Sequence, residues 1–434
     1  MLNEQGVREL AYLVNVDAIT PMDADRLECA HIGGWNCVVG KGEFKVGDPA
    51  VYFEIDSKLP EVEPFTQMEF LKSKEYKVKS QKIRGVVSQG LLMPVSAFGW
   101  HIEYGCFGWE DIGYAFLGTA VAGLEQEPYA VDDENKAHTT QGESRFLTAK
   151  LGVTYAVTED NVRKASVDKY KLMAQRRPNV FKKPIVRWFM RREWGKKLMF
   201  AFFGKKKEKK KEWPVGKFPG VSKTDQERVE NMTWVLDEGY KFIRTQKCDG
   251  TSATYILERK GHKKFEFYVC SRNVRMVKPD QECFYGQDNY YWDMAIKYDI
   301  ERKMKSYMML NPELTFVCWQ GEICGPSIQG NPQHLKEPHL FCFHWTDDTG
   351  RWDIRKAQAQ WGALNMETVP IEEEDYTLPT DFEELKETAD GNYDPSVCEG
   401  QDNCPREGFV YYRVGNPTFS FKNVSRKYLL KRNI

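Results

Sequence analysis

The sequence predicts an α+β chain: a small N-terminal all-β module, a basic connecting stretch, and a larger domain in which strands dominate and helices flank them. Two observations carry this. From Arg26 to about Val95, short extended segments alternate with Gly- and Pro-containing turns, and after Pro214 seven β-rich segments are interspersed with helical ones. Length agrees, since 434 residues are long for one domain and comfortable for two at about 100 to 200 residues each.

In the first module, Trp35 to Val39 precedes the turn Gly40-Lys41-Gly42. Gly47-Asp48-Pro49 feeds a strand from Ala50 to Ile55, and Gly90 to Met93 reads as another. Lys82, Arg84, Ser88 and Gln89 give this barrel a polar, partly basic edge. Between Lys182 and Lys211 stand 13 Lys or Arg and two Glu, a local charge of +11 in a chain of net charge -1. Aromatic residues such as Trp188, Trp194 and Phe203 interleave with the cations over Ile185 to Phe203, compatible with an amphipathic helix. A phosphate-backbone contact, a membrane-surface helix and a solvated linker all fit that segment.

Beyond Pro214, the Thr-x-x-Glu spacing of Thr224 and Glu227 predicts a capped helix from Asp225 to Val235. Strands are expected at Phe242–Cys248, Ala253–Glu258, Phe265–Cys270, Leu314–Trp319, Leu340–Trp345, Gly408–Arg413 and Thr418–Phe421, with one helix from Tyr291 to Leu310.

Composition narrows the class. Hydrophobic residues at 41% and charged residues at 29% exclude a disordered, collagenous or membrane-embedded chain. No secretory signal precedes the body, and Leu198 to Phe203 is far short of the roughly 20 apolar residues of a membrane span. Eleven Cys fit reduced thiols in a cytoplasmic compartment, and Cys398 and Cys404, without a CxxC pair or a nearby His, read as ordinary thiols.

The chemistry concentrates at Thr245-Gln246-Lys247-Cys248-Asp249-Gly250-Thr251-Ser252. A Lys at a strand end, an acid two residues on and a Gly at the turn put Lys247 and Asp249 on one face, with Cys248 on the other. Downstream follow Ser271-Arg272-Asn273, Gln320-Gly321-Glu322-Ile323-Cys324-Gly325-Pro326, Phe341-Cys342-Phe343, Arg406-Glu407-Gly408-Phe409-Val410 and Ser420-Phe421-Lys422.

In this order the segments resemble the motifs of the covalent nucleotidyltransferases, the superfamily of polynucleotide ligases and mRNA capping enzymes. At the front, Gly42 to Asp48, Tyr52 to Pro60 and Ile83 to Leu91 resemble the N-terminal OB barrel of the Naegleria and Deinococcus type of ATP-dependent RNA ligase. Phe218-Pro219, Lys223-Thr224-Asp225 and Glu227-Arg228 resemble that family's approach to its nucleotidyltransferase domain. The resemblance implies an OB domain over residues 1–115, a connecting region over 116–215 and a nucleotidyltransferase domain of antiparallel sheets flanked by helices over 216–434. Only 12 residues follow Lys422, so no OB module fits after the last motif.

By the same resemblance, Lys247 is the nucleophile that takes AMP from ATP, and Lys422 holds the α-phosphate. Glu322 binds the ribose, and Arg272 contacts the nucleotide or the nick. Glu407 is the carboxylate for Mg²⁺ or Mn²⁺. Phe343 stacks on adenine, with Phe341 two residues away as its rival. Asp249 and Ser252 complete the site, and Gln246 stands where relatives often carry Glu. A free lysine has a pKa of about 10.4 and must shed its proton to attack, so nearby cations such as Lys422 are expected to help.

The implied partner is RNA with 3'-hydroxyl and 5'-phosphate ends at a nick in a duplex or hybrid, bound in part along Lys79, Lys82 and Arg84 by a monomeric enzyme. A DNA ligase, a capping guanylyltransferase or a non-catalytic OB-type repair protein are the alternatives.

Overall fold

The computed structural model describes residues 1–3, 6–99, 145–156, 215–217, 223–272, 274–276, 289–399 and 403–432, with short pieces at 101–102, 121–122, 186, 192, 199 and 221. The expected basic amphipathic segment lies outside the described residues.

The barrel is built from two three-stranded antiparallel sheets. In the first, β5 (Pro49–Phe53) lies between β1 (Ala11–Asn15) and β9 (Leu91–Pro94); in the second, β3 (Leu27–Ile32) lies between β2 (Ala18–Pro21) and β4 (Trp35–Gly40). Side-chain alternation makes the central strand two-faced. Val51 and Phe53 join one apolar cluster with Leu13, Phe65 and Met93; Ala50 and Tyr52 join another with Tyr12, Val14 and Trp35. Short β6 (Ser57–Lys58), α1 (Glu69–Lys72), β7 (Gln81–Ile83) and β8 (Val86–Ser88) complete it, and β10 (His101–Ile102) pairs with β11 (Val121–Ala122).

Residues 145–156, placed by sequence in the connecting region, also pack on the barrel. Leu147 and Val153 enter its core, and β12 (Thr154–Tyr155) pairs with β6.

The second domain holds two sheets. Seven strands run in the order β13 (Val215–Lys217), β18 (Val274–Met276), β17 (Lys264–Cys270), β16 (Thr251–Gly261), β19 (Phe316–Cys324), β20 (His339–Asp347), β21 (Gly350–Arg351). Five run in the order β14 (Glu227–Arg228), β24 (Asn416–Val424), β23 (Gly408–Arg413), β15 (Lys241–Lys247), β22 (Ile371–Thr377). Helices α2 (Tyr290–Lys297), α3 (Ile300–Leu310) and α4 (Ile354–Ala363) supply Trp292, Met304, Met308 and Trp361 to the core of the larger sheet. Two short helices, α5 (Phe382–Thr388) and α6 (Arg426–Arg432), complete the domain. Among the described residues, no helix is long and apolar enough to cross a membrane.

Every strand expected after Pro214 is present, with its ends shifted by a few residues. Three other expectations are corrected. The single helix from Tyr291 to Leu310 is two, broken where Asp299 takes a left-handed φ of 50°. The capped helix at Asp225–Val235 is instead the strand β14, paired in parallel with Phe421–Lys422, followed by 3-10 turns at Val229–Asn231 and Thr233–Leu236. The Thr224 hydroxyl meets that of Ser252 rather than a backbone N–H, and Glu227 Oε1 accepts from Asn231 Nδ2 at 2.8 Å, so tertiary partners override the local cap. Finally, Cys398 and Cys404 are joined in a disulfide rather than standing as thiols.

Candidate active site

The site forms where β15 leaves the five-stranded sheet and the chain turns into β16 of the seven-stranded one. Gly250 makes that turn against β19, where a Cβ would lie 2.3 Å from the Ile323 carbonyl oxygen. Register does the rest. Lys247 pairs with Gly408, which brings Glu407 alongside, Ser252 pairs with Glu322, and Val410 pairs with Lys422. In β23, Val410 and Tyr412 face the cavity while Phe409 and Tyr411 enter the core behind.

A cavity of about 270 Å³ collects all nine sequence-nominated residues: Lys247, Lys422, Gln246, Asp249, Ser252, Arg272, Glu322, Phe343 and Glu407. They do not share one orientation. Lys247 Nζ donates to Glu407 Oε2 at 2.7 Å. Arg272 Nε donates to Asp225 Oδ2 at 2.9 Å, with a second contact between the same side chains. Gln246 is buried; its Oε1 accepts from the Asp394 N–H at 2.9 Å, and its amide nitrogen donates to Glu372. Its amide is committed to protein partners. Phe343 lines the cavity, whereas Phe341 is 2% exposed in the core.

The charges separate into two groups. Burial pushes Glu322 up to about 8, with Glu407 and Asp249 adding to the rise against Lys247 and Arg272. Burial and Glu407 push Asp249 up to about 6. In contrast, burial, Arg228 and Arg8 bring Lys422 down to about 7. Burial alone would favour neutral Lys247, yet Glu407, Glu322 and Asp249 outweigh it and hold the amine above its ordinary range. The expected cationic lowering therefore falls on Lys422 instead of Lys247.

Sequence reasoning missed the residues that the barrel side contributes. Arg8, Asp56 and Tyr155 line the same cavity. Arg8 Nε donates to Glu54 Oε2 and its Nη1 to Asp56 Oδ2, both at 2.9 Å. Arg228, 6% exposed and facing the cavity, has Nε and Nη1 without a hydrogen-bond partner among the described residues. Such a guanidinium is a ready anion receptor. Only long-range packing brings these groups together, so no local pattern announces them.

The metal expectation rests on one carboxylate, Glu407, in the cavity wall. Among the described residues, no three His, Cys, Asp or Glu converge closely enough to hold an ion unaided. Glu407 nevertheless shares the cavity with Asp249 and Glu322, whose carboxyls are raised by burial first and by neighbouring carboxylates second, and a cation shared with a bound phosphate would offset that crowding.

Comparisons with known proteins agree with the order of the two domains. An OB-fold domain model matches residues 10–95, and an RNA ligase model matches residues 241–429. No curated protein sequence matches. Among solved structures, Naegleria gruberi RNA ligase with PPi is 26% identical, covering 98% of this chain and 99% of that one at a TM-score of 0.64. A mutant of that enzyme with ATP and Mn is also 26% identical, covering 99% of both chains at a TM-score of 0.64. With its barrel first, its ligase domain second and similarity to the Naegleria enzyme along nearly its whole length, the chain is a ligase that carries an OB-fold domain followed by an RNA ligase domain.

Proposed function

We propose that the chain is an ATP-dependent RNA ligase that joins 3'-hydroxyl and 5'-phosphate ends at nicks in duplex RNA or RNA-containing hybrids, acting as a monomer through a covalent lysyl-AMP intermediate. The observation that carries this reading is the approach of the Lys247 amine to Glu407 in a cavity that Arg228 and Lys422 also line. The solved Naegleria relatives with ATP and Mn, and with PPi, support the choice of nucleotide and metal.

In the first step, neutral Lys247 Nζ attacks the α-phosphorus of ATP. A P–N bond forms, the P–O bond to the β-phosphate breaks, and pyrophosphate leaves. Lys422, Arg228, Phe343 and Val410 line the cavity; the two basic residues would take up charge on the phosphates and the two apolar ones would meet the base. Because Gln246 is engaged by Asp394 and Glu372, base selection falls to those surfaces and to backbone groups. Glu407 would hold Mg²⁺ or Mn²⁺, which when bound supplies charge compensation for the phosphates and weakens the carboxylate's grip on the Lys247 ammonium. AMP then passes to the 5'-phosphate, and the 3'-hydroxyl displaces it. Lys79, Lys82 and Arg84 of the barrel are candidate contacts for the RNA backbone.

Incubation with labelled ATP and Mg²⁺ followed by peptide mass spectrometry tests the first step. An AMP adduct is expected on Lys247 and is lost in Lys247→Ala; an adduct elsewhere, or none, rejects the mechanism. Comparing ATP with GTP, and RNA with DNA on each side of a nick, separates this reading from a DNA ligase or a guanylyltransferase.

A further inference from the structure

Helix α6, which follows Lys422, touches the barrel and the cavity at once. Its Arg426 Nε donates to Gln89 Oε1 of the barrel at 3.2 Å, and Leu429 packs with Ile55 of the barrel and with Val424. Ser425 anchors the start of the helix. Its Oγ accepts from the Tyr428 N–H at 3.1 Å and donates to Asp390 Oδ1 at 2.6 Å. Tyr428, only 4% exposed, turns its hydroxyl onto Asp249 and donates to Oδ2 at 2.6 Å. Arg432 Nη2 stands 3.5 Å from the same oxygen and also donates to the Gln329 carbonyl.

This matters because Asp249 is two residues from Lys247 and lines the same cavity. A carboxylate so placed could compete with Glu407 for the ammonium. In the structure it does not form that pair: Lys247 donates to Glu407, while the Asp249 carboxylate accepts from Tyr428 of α6 and pairs with Arg432. The distinction has a chemical consequence. A cation held at Glu407 can loosen one ion pair, but a second direct pair with Asp249 would hold the amine turned from the phosphorus.

We propose that α6 is a positioning element of the adenylation site, in which Tyr428, assisted by Arg432, occupies the Asp249 carboxylate and so leaves Lys247 with Glu407 as its direct ion-pair partner. The proposal rests on the reading of Lys247 as the nucleophile. Tyr428 does not touch the nucleotide in this scheme; it acts through Asp249.

The test uses the full-length enzyme, ATP and Mg²⁺, and measures single-turnover formation of the Lys247 adduct. Tyr428→Phe keeps the ring and removes the hydroxyl. Its maximal rate is expected to fall about tenfold, as for loss of a hydrogen bond to a charged group. The ATP concentration giving half the maximal rate should stay within about twofold, because the nucleotide contacts remain. Asp249→Asn combined with Tyr428→Phe should be no slower than Asp249→Asn alone, since the hydroxyl then has no carboxylate to hold.

Wild-type rates in Tyr428→Phe, or a double variant as slow as the product of the two singles, overturn the proposal. Arg432→Gln carries the same test if Tyr428→Phe melts early: a several-fold loss confined to the maximal rate supports it, and wild-type kinetics overturn it. If the wild-type enzyme forms no adduct at Lys247, the parent reading fails and takes this inference with it. An active wild type with an equally active Tyr428→Phe removes this inference alone.

Discussion

Lys247 ends β15 and Glu407 immediately precedes the adjacent strand β23, and the amine donates to the carboxylate at 2.7 Å because Lys247 is paired in register with Gly408. That contact holds the nucleophile in place and, by favouring the ammonium, also restrains it. Glu407→Gln separates the two effects. At about pH 9 the neutral fraction of the amine should rise roughly tenfold for each pH unit its titration falls, so labelling of Lys247 by an amine-reactive reagent should accelerate. Adduct formation from ATP should meanwhile fall by about 100-fold or more, because the proposed cation site is lost. Labelling and adenylation that change in the same direction would contradict this assignment.

Glu322 should make the protein less stable as pH rises. Burial, with Glu407 and Asp249 nearby, raises its folded-state value to about 8 from an ordinary 4.5. The unfolded chain releases this proton first, so stability contributed below pH 4.5 is lost progressively as pH climbs through about 8. In Glu322→Gln that loss disappears. Thermal melts should place the variant above wild type near pH 8, with the gap closing toward pH 5; a gap that widens toward acid would reverse the sign and refute the argument.

Lys422 carries the opposite dependence. Burial, then Arg228 and Arg8, depress its folded-state value to about 7 from 10.5. Between those values the unfolded chain holds the proton and the folded one does not, so stability rises with pH in that window and is lost as pH falls through about 7. Lys422→Met should melt higher than wild type near pH 6, with the advantage shrinking toward pH 10, while adduct formation is lost. A pH-independent difference in melting temperature would count against the depressed titration.

The two phenylalanines of β20 can be told apart because one faces the cavity and the other the core. Phe343→Ala should raise the ATP requirement about tenfold or more and leave melting nearly unchanged. Phe341→Ala should instead lower stability by about 3 to 5 kcal/mol, as for an aromatic removed from a packed core. Calorimetry and ATP titration on both variants check this, and equal ATP affinities in Phe343→Ala and wild type would remove the stacking role.

These contrasts mark what could be read before the fold was seen. Strand alternation made the shared face of Lys247 and Asp249 legible, and the order of the motifs brought Glu322, Glu407 and Lys422 into one proposed pocket. The sequence alone could not tell Phe341 from Phe343, which lie two residues apart on one strand; neighbouring elements bury one and leave the other facing the cavity. Thr224 and Glu227 carried a sound local signal for a helix, yet the strand pairing of Glu227 and Arg228 with Phe421 and Lys422 prevailed. Arg8, Asp56 and Tyr155 were beyond reach, because their place in the cavity wall depends on how the barrel docks against the second domain.

Docking itself yields the last prediction. Gly34, in the turn between β3 and β4, donates its N–H to the Glu230 carbonyl at 2.8 Å. A Cβ there would lie 2.2 Å from Phe382 Cζ and 2.8 Å from Glu230 Cα, closer than atoms can approach. Glu230 cannot easily give way, since its buried carboxylate accepts from Lys386 Nζ at 2.8 Å, and that amine also donates to Asn423 Oδ1 at 2.7 Å, next to Lys422. Gly34→Val should therefore push the barrel off its seat and cost about 1 to 3 kcal/mol. Because Arg8, Asp56 and Tyr155 leave the cavity wall with it, adduct formation should slow as well, and sealing of a nicked duplex should fall further than adduct formation does. Melting curves and paired assays of the two steps check this. Unchanged melting with unchanged sealing would mean that the Gly34 contact does not hold the barrel in place.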